Sequence, residues 1–306
     1  MEMTRGAMAG KKGEGSARGA VAPVAVIVAA LLSAWSTPSR ANDGGADASA
    51  ASAAAGGAAA EALAHKSPLE FGETEFKPVR ESIAAIPRAH FGYEKLCIPT
   101  ADGATLDNGE SKYVCHLREH PEFALLFERK PRPTPKSSIH DEQALLSQIV
   151  SDSHEHHLPV AVVPFDHVEI AVPCYRMPIV KGADSPPLCA AFLEAWLPAP
   201  QYTFWHGYHF AMGTTLSGVL PRLSSKPDAM RKACSHVGDL LHLAVTYRWA
   251  IDDAQGFLSS EGDLIIADPR AIVREEKGAA SPNPTVRSAV NALTWIMKSR
   301  LCASAI

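Results

Sequence analysis

Asp252, Asp253 and Asp268 stand at the two ends of the stretch 251–271, IDDAQGFLSSEGDLIIADPRA. Within it, residues 255–258 and 264–267 read as the strands of a compact hairpin, with a turn at 259–262. A hairpin brings its two ends together, so the side chains of Gln255 and Asp268 can face one hard cation through oxygen. Asp268 follows a strand that reads as buried, where a carboxylate is costly without a cation or hydrogen bonds. Plainer roles stand beside these. Asp268 can cap the turn before Pro269, Gln255 can bond the backbone, and Asp252–Asp253 can be the polar turn that ends a helix. The two aspartates are adjacent, so their side chains point apart and only one of them can face a site.

Other residues invite chemistry more weakly. Lys130, with Arg129 as its alternative, follows an apolar strand, and Glu142 lies in the first turns of a helix. Against them stand a solvated basic patch with Arg132 and an acidic residue favoured by the helix dipole. The run His154-Glu155-His156-His157 lacks Cys partners and reads as a loop beside a helix end rather than a metal site. His206 and His209, three apart, can form a ligand pair, but the aromatic setting WHGYH favours packing. Ser217 lacks the G-x-S-x-G elbow of a serine hydrolase.

The elements that must position these groups come in two halves. Residues 93–98 alternate as a strand. A connection holding Gly103 and Gly109 follows, and 113–117 and 123–127 read as two further strands. A helix is expected over 137–150, with Ser138 and Asp141 resembling a capping box and Leu145, Leu146, Ile149 and Val150 forming its apolar stripe. Strands are expected over 159–165 and 168–174, then a Pro/Gly-containing connector over 175–188. The second half reads as mainly helical: a short helix over 189–196, an ambiguous aromatic stretch over 201–220, a long helix over 228–249, the hairpin, and a last helix from 284 to about 301. The long helix carries Ala233, Val237, Leu240, Leu241, Ala244 and Val245 on one side.

This order, with the 251–271 stretch, resembles the protein-kinase fold, and similar Asp-x-Gln-Gly … Gly … Asp-Pro stretches belong to divergent bacterial kinase-like proteins. The resemblance covers about residues 91–302 and implies a two-lobed α+β fold: a small, mainly-β N-lobe with one helix, and a reduced helical C-lobe carrying the hairpin. Gln255, seven residues before Gly262, matches the family's metal-binding Asn in position, and Asp268, six after it, matches the metal Asp. The resemblance implies that Lys130 grips ATP phosphates and pairs with Glu142, that Gly103 and Gly109 serve the phosphate-covering loop, and that Gln255 and Asp268 hold Mg²⁺. Asp253 or Asp252 would orient the acceptor hydroxyl of a protein or small molecule. The chain departs from the family in several places. G-x-G-x-x-G is absent, Gln replaces Asn, and the aspartates precede Gln255 by two and three residues instead of five. Pro269-Arg270 follows the metal Asp, and about 38 residues remain after it. These departures keep a non-catalytic, pseudokinase-like binding module open as the alternative.

The ends and the composition bound the setting. Arg5, Lys11, Lys12 and Arg18 precede an apolar run over 21–35, and Ser39-Arg40-Ala41 is a small-x-small pattern. Residues 1–41 therefore read as a cleavable signal peptide, which predicts a secreted or periplasmic protein with no membrane span after cleavage; the alternative is an anchor through 21–35. Residues 42–65, rich in Ala and Gly, read as a disordered tether. The remainder divides into an N-lobe-like region, 66–178, and a C-lobe-like region, 179–306. The chain carries a net charge of -4, and five Lys/Arg against two Asp/Glu in 1–41 leave the rest near -7, which excludes nucleic acid as a partner by charge. Its six cysteines, none in CxxC, permit up to three disulfides, so a disulfide-stapled envelope protein is a further alternative.

Overall fold

The structure is a computed structural model that describes residues 66–100, 103–108, 112–130, 138–178, 186–208, 214–275 and 283–304. The signal, anchor and tether expectations for 1–65 lie outside the described residues, as do Gly109 and His209 and the side chain of Ser138. Among the described residues no helix is long and apolar enough to cross a membrane. The architecture is mixed α+β with antiparallel sheets.

A five-stranded antiparallel sheet is built from β1 (Asp107–Asn108), β2 (Lys112–His116), β3 (Phe123–Glu128), β5 (Ile170–Pro173) and β6 (Leu188–Ala195), in the order β1-β2-β3-β6-β5. β3 is buried along its whole length because both faces of the sheet are covered. Phe123, Leu125 and Phe127 face a cluster with Phe76, Val79 and Ile83 of α1 (Glu73–Ala84). Arg80 ties that helix down through both oxygens of the buried Asp166, at 2.6 Å. Ala124 and Leu126, on the alternate face, pack with Ile139 and Leu146 of α3 (Ser138–Glu155) and with Ile265 and Ala267. The same alternation directs Lys112, Glu128 and Glu194 to this second face.

The second half holds a four-stranded sheet of β4 (Ala161–Val162), β10 (Leu264–Ala267), β9 (Gln255–Ser259) and β7 (Tyr202–His206), in that order. β4 runs parallel to β10, and the other pairs are antiparallel. A ribbon of β8 (Trp249–Asp252) and β11 (Ala271–Arg274) flanks it. α4 (Leu216–Val219), α5 (Pro227–Thr246), α6 (Pro284–Lys298) and α7 (Arg300–Ala303) complete the half. The buried stripe of α5, including Met230, Ala233, Val237 and Leu240, packs on Val286, Leu293 and Ile296 of α6. Leu243 continues that stripe, while Val245 is exposed. Two glycines allow close approach. A Cβ on Gly256 would lie 2.0 Å from the Ile265 oxygen, and one on Gly262, whose φ is +88°, would lie 2.1 Å from the Ala229 oxygen of α5.

All six cysteines are paired, as Cys97–Cys115, Cys174–Cys189 and Cys234–Cys302. Such bonds form and persist in oxidising compartments. The last one joins α5 to α7.

Several expectations are corrected. Residues 93–98 form a helical turn, α2 (Tyr93–Leu96), and Cys97 bridges to Leu117. Of 159–165 only β4 is strand, and it pairs with the hairpin rather than with the five-stranded sheet. Residues 189–196 are no helix: β6 occupies them, buried between β3 and β5, where sheet pairing overrides the helix propensity of Leu, Ala and Glu. The five-stranded sheet thus draws on both sides of the 178/179 division. The hairpin and α6 stand where the pattern predicts them, while α5 stops at Thr246, short of the expected 249, because Trp249 already pairs as the first residue of β8.

Candidate functional site

Lys112 enters β2 opposite Glu128, with its side chain turned toward α3. Its ammonium forms an ion pair with Glu142 of α3 and approaches Asp268 Oδ1 at 3.2 Å. Lys112 and Glu142 are buried, whereas the Asp268 side chain is 45% exposed. The trio therefore spans from a dry interior to an open rim. Asp268 sits directly after β10 with φ +47°, a left-handed backbone that Asp tolerates better than most residues but that still costs about 1 kcal/mol or more.

A further carboxylate faces the trio. Glu194 of β6 has its Oε1 sealed from solvent and without a hydrogen-bond partner among the described residues, although part of the residue surface is open. Burial, followed by the Glu142 charge, pushes its pKa up to about 8. Glu142 is raised by burial and pulled back by the adjacent ammonium. Burial alone would lower Lys112, but Glu142, Glu194 and Asp268 outweigh it and hold the ammonium above its ordinary range. One cation thus answers several carboxylates, and the surroundings favour positive charge.

The second part of the site lies along one end of the four-stranded sheet. His206, Gln255 and Ala267 stand opposite one another on β7, β9 and β10, so their backbones are spaced by about 5 Å per strand. Asp268 follows Ala267 in the chain, which places Gln255 one strand away from it. Asp253 lies in the two-residue link between β8 and β9, with φ +51°. His206 Nε2 lies 2.6 Å from Asp253 Oδ1, and Gln255 Nε2 donates to Asp253 Oδ2 at 3.5 Å. The carboxylate of Asp253 therefore faces the site. Asp252 belongs to the ribbon, paired with Ala271, and its carbonyl accepts from the Arg270 N–H.

The structure gathers Glu142 and Asp268 on Lys112, and Asp253 and Gln255 beside His206 one strand away, and leaves other predicted residues out. Lys130 is not the partner of Glu142. β3 ends at Glu128, so Lys130 has left the sheet and is exposed, while Arg129 lies 5.0 Å over the Tyr113 ring. Gly103, with φ +80°, forms an open turn between Thr100 and Ala104. His154 and Glu155 close the helix α3 and His156 lies just beyond it, stacked on Tyr247, so the run lies at a helix end as expected. Among the described residues no group of three or more His, Cys, Asp or Glu is arranged to hold a metal. Lys112, Glu194 and His206 are the residues that sequence reasoning failed to place here. The available signal for Lys112 was its phase: two residues before Val114, it shares the face of β2 that turns toward α3. A surface cavity of about 390 Å³ lies along β5 and β6, lined by Arg88, Glu169 and Pro186 among others, and none of the site carboxylates lines it.

No family model matches the chain, and no curated protein matches it in sequence.

Proposed function

We propose that the chain is an exported, two-lobed kinase-like protein that binds ATP with Mg²⁺ and transfers the γ-phosphoryl group to a protein or small-molecule acceptor. The observation that carries this reading is the Lys112 ammonium held between Glu142 of the helix and Asp268 at the end of the hairpin. It supports the reading because a Lys–Glu pair beside a metal-binding Asp is the phosphate-handling arrangement of the family the sequence resembles. Lys112 takes the role that the resemblance implied for Lys130. In this reading the five-stranded sheet with α3 is the N-lobe, and the hairpin with α5 and α6 is the C-lobe.

The donor set fits magnesium. Asp268 offers a half-exposed carboxylate and Gln255 an amide oxygen, both hard ligands, and substrate phosphates would complete the coordination. Bound there, Mg²⁺ would offset charge on the β- and γ-phosphates. Lys112 holds phosphate oxygens from the sheet side and stays charged because three carboxylates surround it. Asp253, exposed at the bend, orients the acceptor hydroxyl and accepts its proton as the new O–Pγ bond forms and the bond to the β-phosphate oxygen breaks.

The test is calorimetry of the full chain with ATP and Mg²⁺. Binding that is lost in Asp268→Ala, with an unfolding midpoint that shows the variant still folded, supports the reading. No binding, or binding unchanged in that variant, sinks it. A second reading, binding without phosphate transfer, is favoured by the length of the β8–β9 link, which leaves only Asp253 and Ala254 between the strands. Partner capture that survives in Asp268→Ala together with Lys112→Ala would favour this second reading.

A further inference from the structure

The link between β8 and β9 is too short to hold its own carboxylate. Asp253 adopts a left-handed backbone, and no residue on its own segment except Gln255, at 3.5 Å, contacts its side chain among the hydrogen bonds described. The support comes instead from the next strand. Trp205 is fully buried and paired with Gly256, which fixes β7 in place. The following residue, His206, then stands opposite Gln255, and its ring reaches Asp253 Oδ1 at 2.6 Å. The Gly207 N–H donates to the Ala254 carbonyl at 2.8 Å, so the same segment also pins the backbone of the link. A carboxylate only accepts, so the contact assigns the proton to His206 Nε2. Both side chains remain open to solvent, at 44% and 38% exposure, so an acceptor molecule can approach the pair.

We infer that His206 is a positioning residue for Asp253: β7 supplies from a neighbouring strand the hold that a longer catalytic loop would supply within its own segment. The inference rests on the phosphotransfer reading above. In that step the acceptor oxygen forms a bond to Pγ, the Pγ–O bond to the β-phosphate breaks, and the acceptor proton passes to Asp253. ATP and an alcohol, or water, give ADP, a phosphate ester or phosphate, and one proton. His206 holds Oδ1 of Asp253, and Oδ2, which meets only the long 3.5 Å contact from Gln255, receives the proton as that contact gives way to the acceptor hydroxyl.

The test uses the full disulfide-bonded chain with ATP and Mg²⁺, with water as acceptor, so that no partner need be known. ATP affinity is read by calorimetry and turnover by phosphate release. In His206→Ala, affinity stays within about twofold while kcat falls about 10²-fold, the scale of a general base losing its alignment. Asp253→Asn falls at least as far, and the double variant is no slower than Asp253→Asn alone, because the two residues act as a unit. His206→Gln, which can still donate to Asp253, recovers part of the loss. Unchanged kcat in His206→Ala overturns the inference, as do losses that multiply in the double variant. ATP binding with no turnover in the unaltered chain overturns it while leaving the nucleotide site standing. Absence of ATP binding removes the phosphotransfer reading itself, and the inference with it.

Discussion

The sheet half and the helical half hold their charged residues in opposite ways. On the sheet side, Lys112 and Glu142 are buried and paired, Glu194 has one sealed oxygen, and two disulfides close loops with sequence separations of 18 and 15. On the helical side, Asp253 and Asp268 sit half-exposed on left-handed bends, and one disulfide spans a separation of 68. The difference separates two jobs. A buried ion pair fixes a geometry at some cost in desolvation, while a strained carboxylate at the surface stays open to solvent.

Four changes would break or sharpen that contrast. The largest effect is expected from removing the long clamp: Cys234→Ser with Cys302→Ser lowers stability by about 4 kcal/mol on the chain-entropy estimate, read as a shifted urea midpoint. Lys112→Met comes next, at about 3 kcal/mol, because it strands Glu142 without its cation. Adding Glu142→Gln to that variant recovers much of the loss, since two neutral buried residues cost little beside one unpaired charge. If the double variant is as unstable as the single one, the cluster is held by packing and not by charge.

The third effect is a pH slope of about 2 kcal/mol, limited by the partly open surface of Glu194. Its carboxyl is raised from 4.5 to about 8, so the folded state binds the proton more tightly than the unfolded chain. The stabilisation is complete below about pH 4.5 and is lost as pH rises through 8. Thermal unfolding followed from pH 5 to 9 should fall more steeply in the unaltered chain than in Glu194→Gln. The smallest effect has the opposite sign: Asp253→Gly relieves the left-handed backbone and raises stability by about 0.5 kcal/mol while removing the carboxylate proposed as the base. A loss of stability there would mean that the His206 contact outweighs the strain.

Much of the helical half was legible because its signals are local. The hairpin has an alternating strand, a turn and a glycine where φ is positive, and α5 and α6 carry apolar stripes with Pro at their first position. The sheet half was harder because its decisive signals are not local. Residues 189–196 carry helix-forming side chains, and only the neighbouring β3 and β5 make them a strand. Glu142 was found from its place in a helix. Its partner was sought after β3 when it stands at the start of β2, a pairing visible only once Lys112 lies opposite Glu128. His206 was assigned to packing because nothing in WHGYH reveals that β7 will lie beside the bend at Asp253.

The segment 161–166 does more than connect α3 to β5. β4 pairs with β10, the Val163 N–H donates to Ile266, the Ala195 N–H donates to Pro164, and the Asp166 N–H donates to Leu193. One short strap is therefore sewn to both sheets. A hinge that swings one half away from the other, the slow opening used by many two-part proteins, would have to tear this seam. Any ligand of the proposed site would then exchange past the bends and side chains at the rim, where motion is far faster than that of whole domains and need not disturb the strap or Glu142 of the preceding helix.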